Sequence, residues 1–549
     1  MANKLAKRSD FSIWTVIVIA IALIVATPII FIFSSTFSSA GEIWQHLIDT
    51  VLKDYILNSC WLMLGVGFGV LLIGVGTAWL VTMCTFWGSR YLQWLLLLPL
   101  AAPAYLLAYA YTDLLDYFGP VQLFLRDLFG WKTIRDYWFP DVRSLPGAIL
   151  MLTLVLYPYV YLLARVAFLE QSVCTLEASR SLGSNPWRSF FTIALPLARP
   201  SIMAGLALVL METLNDFGTV EYFGVTTFTT GIYRTWLGMG ERSAAAQLAA
   251  LLMLFILALI VLERLSRQQA RYYQLGVSNS RIPKYELGWF RGAIASIACF
   301  VPVALGFLIP AWYLLRLTMD NWTESVDNDF WFLTRNSFIL AIATAMIAVL
   351  VSLVLAYGQR LQPNWTMRSA VRIAAMGYAI PGSVIAVGIL IPLGRFDNFV
   401  DSLMRNNFGI ATGLLLSGTV VSLIFAYLVR FLAVAFSSVE SSLNKITPNL
   451  DDAARSLGSG ATTTLVKVHA PLMSGGLLTA GMLVFVDVMK ELPATLVIRP
   501  FNFDTLAIRV YQYASDERLI EAAAPALAIV IVGIIPVIFL TWQIAHQRK

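Results

Sequence analysis

The strongest constraint on this chain is the recurrence of apolar stretches too long for a water-soluble domain. About twelve of them run near residues 12–33, 57–82, 93–115, 145–168, 200–221, 244–263, 292–317, 337–358, 371–394, 409–435, 474–496 and 520–543. Roughly 20 apolar residues wound as an α-helix span the hydrocarbon of a bilayer. Lipid offers the backbone no hydrogen-bond partner, so runs of this kind must be helices. Composition agrees: 58% of the residues are hydrophobic and 13% charged, about half the charged fraction of a soluble protein. The predicted fold is all-α and integral to the membrane. The first run lies between Lys4, Lys7, Arg8 and Ser38-Ser39-Ala40. It exceeds the roughly 7–15 residues of a secretory signal core and reads as a retained helix.

The placement of Lys and Arg sets the orientation. With the basic N-terminus inside, alternation puts Arg90, the stretch Arg264 to Arg291, Arg360, Arg368 and Arg548-Lys549 on the inner side. Glu42, Asp49, Asp54, Asp320, Glu324, Asp327 and Asp329 then fall outside. Both termini are therefore expected in the cytoplasm. The net charge of +6 resides in short segments between spans, which reads as membrane topology, and no nucleic-acid partner is expected. Cys60, Cys84, Cys174 and Cys299 form no CxxC pair, so no disulfide framework is implied. His46, His469 and His546 lack metal-site spacing, and His469 reads as a loop-packing residue. A phosphate cradle of the form GxxxxGK followed by Ser or Thr is missing from the sequence, so ATP hydrolysis is not expected of this chain.

The chain also repeats itself. Glu177-Ala178-Ser179, Gly183 and Ile193-Ala194-Leu195-Pro196 recur 275 residues later as Asp452-Ala453-Ala454, Gly458 and Val468-His469-Ala470-Pro471. Asn58-Ser59 and Pro103 recur as Asn336-Ser337 and Pro381 at an offset of 278. These echoes predict a first half, 1–265, a basic cytoplasmic linker, 266–291, and a second half, 292–549. Six spans per half is an even number, so the two six-helix repeats are expected to be parallel, related by an axis along the membrane normal. In each motif a short amphipathic helix carrying Leu182 or Leu457 should end at the glycine, which permits a sharp turn. The proline is then expected to break the chain before the next span. A short helix lying across the cytoplasmic face suits a groove on a partner.

This spacing resembles the EAA loop of binding-protein-dependent ABC importer permeases. The resemblance implies the type I importer permease fold in a bacterial inner membrane. It assigns loops 177–196 and 452–471 to docking on two copies of a cytoplasmic ATPase subunit, and cargo delivery to a periplasmic substrate-binding protein. ATP-Mg would sit on those partners, with no cofactor on this chain. Glu177, Ala178, Gly183 and Pro196 hold the signature positions of the first loop, and Asp452, Ala453, Gly458 and Pro471 those of the second. The second copy departs from the pattern at Asp452, Val468 and Ala470. Asp216-Phe217-Gly218-Thr219-Val220, Thr227-Phe228-Thr229-Thr230-Gly231-Ile232-Tyr233 and Lys490-Glu491-Leu492-Pro493-Ala494-Thr495 look like the fused, double-length permeases of ferric-iron importers. Thiamine permeases are also fused and related, so thiamine or a polyamine is the alternative cargo. A gradient-driven secondary transporter is the remote alternative.

Four acids stand inside the apolar runs. Glu212 and Asp216 follow the first loop, and Asp487 and Glu491 follow the second at the same offset of 275. As i,i+4 pairs in a continuous helix, each pair would share a face about 6 Å apart along the axis. An ionised side chain near the bilayer centre costs about 2.5 kcal/mol or more. The four are therefore expected to line a cation path, with ferric ion as a transient hard-cation guest and no firmly held metal. The competing expectation is internal neutralisation, with Lys490 beside Glu491 and Asn215 beside Asp216.

Overall fold

The computed structural model describes residues 13–37, 41–171, 185–268 and 284–546. The apolar runs are helical. In chain order they give α1 (Ile13–Ser35), α2 (Leu52–Met83), α3 (Ala104–Leu115), α4 (Leu145–Leu169), α5 (Leu195–Asn215), α6 (Gly218–Tyr222) and α7 (Arg242–Gln268). Beyond the linker follow α8 (Trp289–Val303), α9 (Ile309–Asp320), α10 (Asn328–Leu361), α11 (Gly382–Phe408), α12 (Val420–Asn444), α13 (Pro448–Ser456), α14 (Ser474–Met489), α15 (Pro493–Ile498) and α16 (Leu519–His546).

Ten helices among the described residues are long and apolar enough to cross a membrane alone. Two further pairs, Ser89–Ala101 with Ala104–Phe129 and Ala461–Leu472 with Ser474–Met489, are bent by 91° and 79° and bring the total to as many as twelve. The expected spans near 93–115 and 474–496 are thus broken ones. The first break has a covalent cause. Pro103 lacks an N–H and pushes the residue before it out of the helical region, and Ala102 is extended at ψ 127°.

The repeat seen in the sequence recurs as local structure. Pro103 and Pro381 each precede a helix, at ψ 149° and 142°. Asn58 donates its side-chain amide to the Thr226 carbonyl at 3.0 Å, and Asn336 donates to the Asp504 carbonyl at 3.4 Å. Both bonds join residues 168 apart, so each half uses the same Asn to hold the start of a long helix against a later turn.

The compact units differ from the halves expected at 1–265 and 292–549. One unit holds residues 1–41, 232–250 and 331–508, and the other holds 42–231, 251–330 and 509–549. The first helix of each half is therefore packed within the unit built mainly from the other half. In the first unit, Trp14 on α1 meets Tyr357 on α10 edge to face at 5.5 Å, and Thr15 donates to Gln362 at 2.5 Å. In the second, Tyr111 on α3 donates to the Leu305 carbonyl at 2.7 Å, and Ser296 on α8 to the Trp87 carbonyl at 2.7 Å. Apolar side chains alone do not select a partner in lipid, where tails are as greasy as leucine. Close packing and a few polar contacts make the choice. Of the linker, 269–283 lies outside the described residues, and Tyr285–Glu286 forms a two-residue parallel pairing with Cys84–Thr85.

The longest face-to-face packing within the second unit is α2 on α4. Leu62, Val66 and Val70 of α2 are buried, whereas Trp61, Leu64, Phe68 and Leu72 form an exposed apolar stripe at helical spacing, the face that lipid covers. The buried side depends on small residues. A Cβ at Gly74 would stand 2.9 Å from Cβ of Val160 and 3.0 Å from the backbone of Tyr157 and Tyr161, neither of which yields cheaply. Overpacking costs about 1–3 kcal/mol. Gly74→Val should lower the thermal midpoint in detergent, whereas Gly76→Ala, with nothing within 4 Å, should leave it in place. Equal midpoints for the two variants would contradict this packing.

Candidate coupling face and membrane carboxylates

The second loop is fully described. Helix α13 opens on Pro448, where a missing N–H costs nothing because the first helical turn has no intrahelical acceptor. Asp452 and Ala453 are exposed and Ala454 is buried. Asp452 meets Arg455 at 3.5 Å on the surface, a pairing of little energetic weight. Ser459 N donates to the Ala454 carbonyl and Gly458 N to the Arg455 carbonyl, a Schellman closure. It places Gly458 at φ +78°, the left-handed region that a side chain disfavours by about 1–2 kcal/mol. The expected glycine turn is present, and it leaves Leu457 exposed at the tip.

Arg360, at the end of α10, anchors this helix. Its guanidinium reaches Asp451 at 2.6 and 2.9 Å and caps the Leu443 and Ile446 carbonyls at 2.8 and 2.9 Å. His469, fully buried, holds the other Asp451 oxygen through Nε2 at 2.7 Å. Burial alone would raise the Asp451 carboxyl, but the hydrogen bonds from Arg360 and His469 outweigh it and hold the group below its ordinary value. The stabilisation is then full at neutral pH and fades as pH falls through that lowered value. In the sequence Arg360 stands out only as one of the basic residues between spans. The signal that marks it is its uncharged counterpart, Thr82, at the 278 offset.

Of the first loop, Glu177, Ala178 and Gly183 lie outside the described residues. Pro196 and Pro471 are described, and neither breaks the chain as expected. Each follows a π-helical turn, Phe190–Ala194 and Leu465–His469, and stands at the start of an α-helical segment. A proline ring clashes with the carbonyl four residues before it. Widening that turn moves the carbonyl away, so the helix passes through. In the second repeat the break falls later, at Met473 (φ −103°, ψ 16°).

The four acids do not form two one-face pairs. Helix α5 ends at Asn215 and Asp216 is extended at ψ 133°, while α14 ends at Met489, before Glu491. Past those ends, both side chains turn to the next short helix. Asp216 accepts from the Thr219 and Val220 amides at 3.1 Å each and from Thr219 Oγ1 at 3.0 Å. Glu491 accepts from the Ala494 and Thr495 amides at 3.1 and 3.0 Å and from Thr495 Oγ1 at 2.7 Å. The 275 offset therefore records a shared N-capping device.

Their charges are handled differently. Glu491 is buried and ion-paired with buried Arg430 at 2.7 Å. Lys490 takes Asp487 instead, at 3.0 Å. Glu212 is half-buried on α5 and has no hydrogen bond or ion pair with another described residue. One residue earlier, Met211 lines a cavity of about 560 Å³ with Ser201, Ala204, Leu208 and Glu263. The Arg430–Glu491 pair also explains Gly382, where a Cβ would fall 2.5 Å from Arg430 Nη1 and 2.6 Å from Glu491 Oε1. The matching positions in the first half are Val155 and Ala104: without the guanidinium, a Cβ fits.

A helical membrane chain with two matching motif loops and a capped break after each belongs to a defined class. The protein is a member of the family of binding-protein-dependent transport system inner membrane components, whose pattern matches residues 70–271. It is 31% identical over 237 residues to the molybdenum transport system permease protein ModB of Escherichia coli strain K12, covering 41% of this chain and 96% of that one. Relatives named for ferric transport align over nearly all of this chain. The Fe(3+)-transport system permease protein FbpB 2 of Haemophilus influenzae is 24% identical over 537 residues, 96% of this chain and 97% of the relative. The ferric transport system permease protein FbpB of Actinobacillus pleuropneumoniae is 21% identical over 556 residues, 97% of this chain and 78% of the relative. The chain is thus a multi-pass inner-membrane transport component of the fused, double-length form.

Removing one member of a buried ion pair costs about 3–5 kcal/mol, because the other charge is stranded. Glu491→Gln should destabilise the protein strongly, and Glu491→Gln with Arg430→Met should recover most of the loss. Thermal unfolding in detergent measures both, and an unchanged midpoint for the single variant would count against the pair.

Proposed function

We propose that this chain is the transmembrane subunit of an ATP-driven importer that passes ferric iron from a periplasmic binding protein to the cytoplasm. The observation that carries the reading is similarity over nearly the whole of this chain to relatives named for ferric transport. The relative named for molybdenum matches less than half of the chain, so the cargo follows the full-length relatives. Loops 177–196 and 452–471 dock on two copies of a separate ATPase, which binds ATP-Mg, and both termini are cytoplasmic. Exposed Leu457, above a buried Ala454, supplies the apolar tip that a groove receives.

Of the four acids proposed for the path, Glu212 is best suited to meet cargo. Asp487 and Glu491 have cationic partners, and Asp216 spends its oxygens on a cap. An unneutralised carboxylate lowers the barrier for a cation, and a hard ion such as ferric iron favours oxygen.

The test reconstitutes the chain with its ATPase and binding protein. ATP hydrolysis is compared with that binding protein loaded with ferric iron, thiamine or spermidine. Stimulation by the iron-loaded form with internal iron accumulation supports the reading, and stimulation by an organic cation alone overturns the cargo. In the same vesicles Glu212→Gln should slow iron uptake about tenfold with an unchanged thermal midpoint, since about 1.4 kcal/mol of barrier is a factor of ten. Wild-type uptake would remove Glu212 from the path.

A further inference from the structure

Asp451 joins four pieces of the cytoplasmic face. It lies on α13. Arg360 links it to the end of α10 and, through the Leu443 and Ile446 carbonyls, to the end of α12. His469 links it to the π-turn that leads into α14. Tyr357, one turn before Arg360, stands 5.5 Å from the His469 ring and donates to the Ala461 carbonyl at 2.9 Å. Arginine's planar fork holds several acceptors at once, and hydrogen bonds between ionised groups are about twice as strong as neutral ones. The Arg360 and Asp451 side chains are 17% and 18% exposed, so solvent screens them little.

The first repeat is built otherwise. The positions matching Arg360, Asp451 and His469 are Thr82, Leu176 and Ala194, none of them charged. Trp79 replaces Tyr357 and packs on Phe168 at 5.6 Å and Phe190 at 4.9 Å. Among the described residues, the second arm is joined by a charged cluster, whereas at the matching positions the first has aromatic packing, with a neutral hydrogen bond from Gln171 Nε2 to the Ala194 carbonyl at 2.8 Å.

We infer that Arg360, Asp451 and His469 are positioning residues that lock the second coupling helix to α10, α12 and the entry to α14, making this repeat the stiff drive arm of the transporter. The inference rests on the proposed docking of the loop on an ATPase. A push on α13 then moves the ends of three long helices together, including the one that leads to Asp487 and Glu491.

The test uses the full complex in vesicles and reads iron imported per ATP hydrolysed. Asp451→Asn, of matching shape, and Arg360→Met should each lower that ratio about tenfold. The double variant should fall no further than the worse single one, because both remove one linkage. Arg360→Lys keeps the charge without the fork and should give an intermediate ratio. Thr82→Ala, the matching change in the first arm, should leave the ratio unchanged. Wild-type ratios for Asp451→Asn and Arg360→Met with a lowered thermal midpoint would make the clamp merely structural and sink the inference. Independent, multiplying losses in the double variant would do the same. A wild-type chain that neither binds nor stimulates the ATPase would remove the docking reading and this inference with it.

Discussion

Inside hydrocarbon no water repairs an interrupted helix, so each break must bring its own hydrogen-bond partners. That requirement organises this protein. Helix α5 stops at Asn215 and α14 at Met489, and the short helices that follow begin with bare amides. Asp216 and Glu491 supply the acceptors, each backed by the same sequence distance to the amides it satisfies. The breaks exist because the acids make them tolerable, and the acids sit in apolar runs because the breaks are there.

Capping leaves a charge to settle, and the halves settle it differently. The second half buries a guanidinium, Arg430, against Glu491 and gives up a Cβ at Gly382 to make room. The first half has Val155 and Ala104 at those places, and Asp216 relies on amide and hydroxyl donors. Duplicated backbone geometry has thus been kept while the electrostatics diverged. The turns that lead out of the two motif loops show the same division. The π-turn before Pro196 recurs before Pro471, yet aromatic packing around Trp79 stands where Tyr357, Arg360 and His469 build a polar cluster.

The chain's organisation was legible wherever one residue type enforces one conformation. Length and apolarity demanded helices and Gly458 marked a sharp turn, whereas Pro103 and Pro381 stood out only as an echo at one offset, inside runs expected to be unbroken. Asn58 and Asn336 were visible as echoes, and their bonds show what the echo preserves. Spacing misled where it assumed an unbroken helix: Asp216 and Glu491 lie four residues beyond Glu212 and Asp487, but the helix has ended by then. Proline misled in the opposite sense, because a widened turn absorbed the clash that would have broken the chain.

By itself, the sequence determined that this protein is a helical membrane component carrying one motif twice. Those features follow from local rules: hydrophobic length and a fixed offset. Only the tertiary structure decided that α1 packs with residues 331–508, that Lys490 serves Asp487 while Arg430 serves Glu491, and that Glu212 keeps an unpaired carboxylate among the described residues. Each of these is a choice among several chemically equivalent partners, and in lipid that choice is made by close packing and geometry, which no single residue carries.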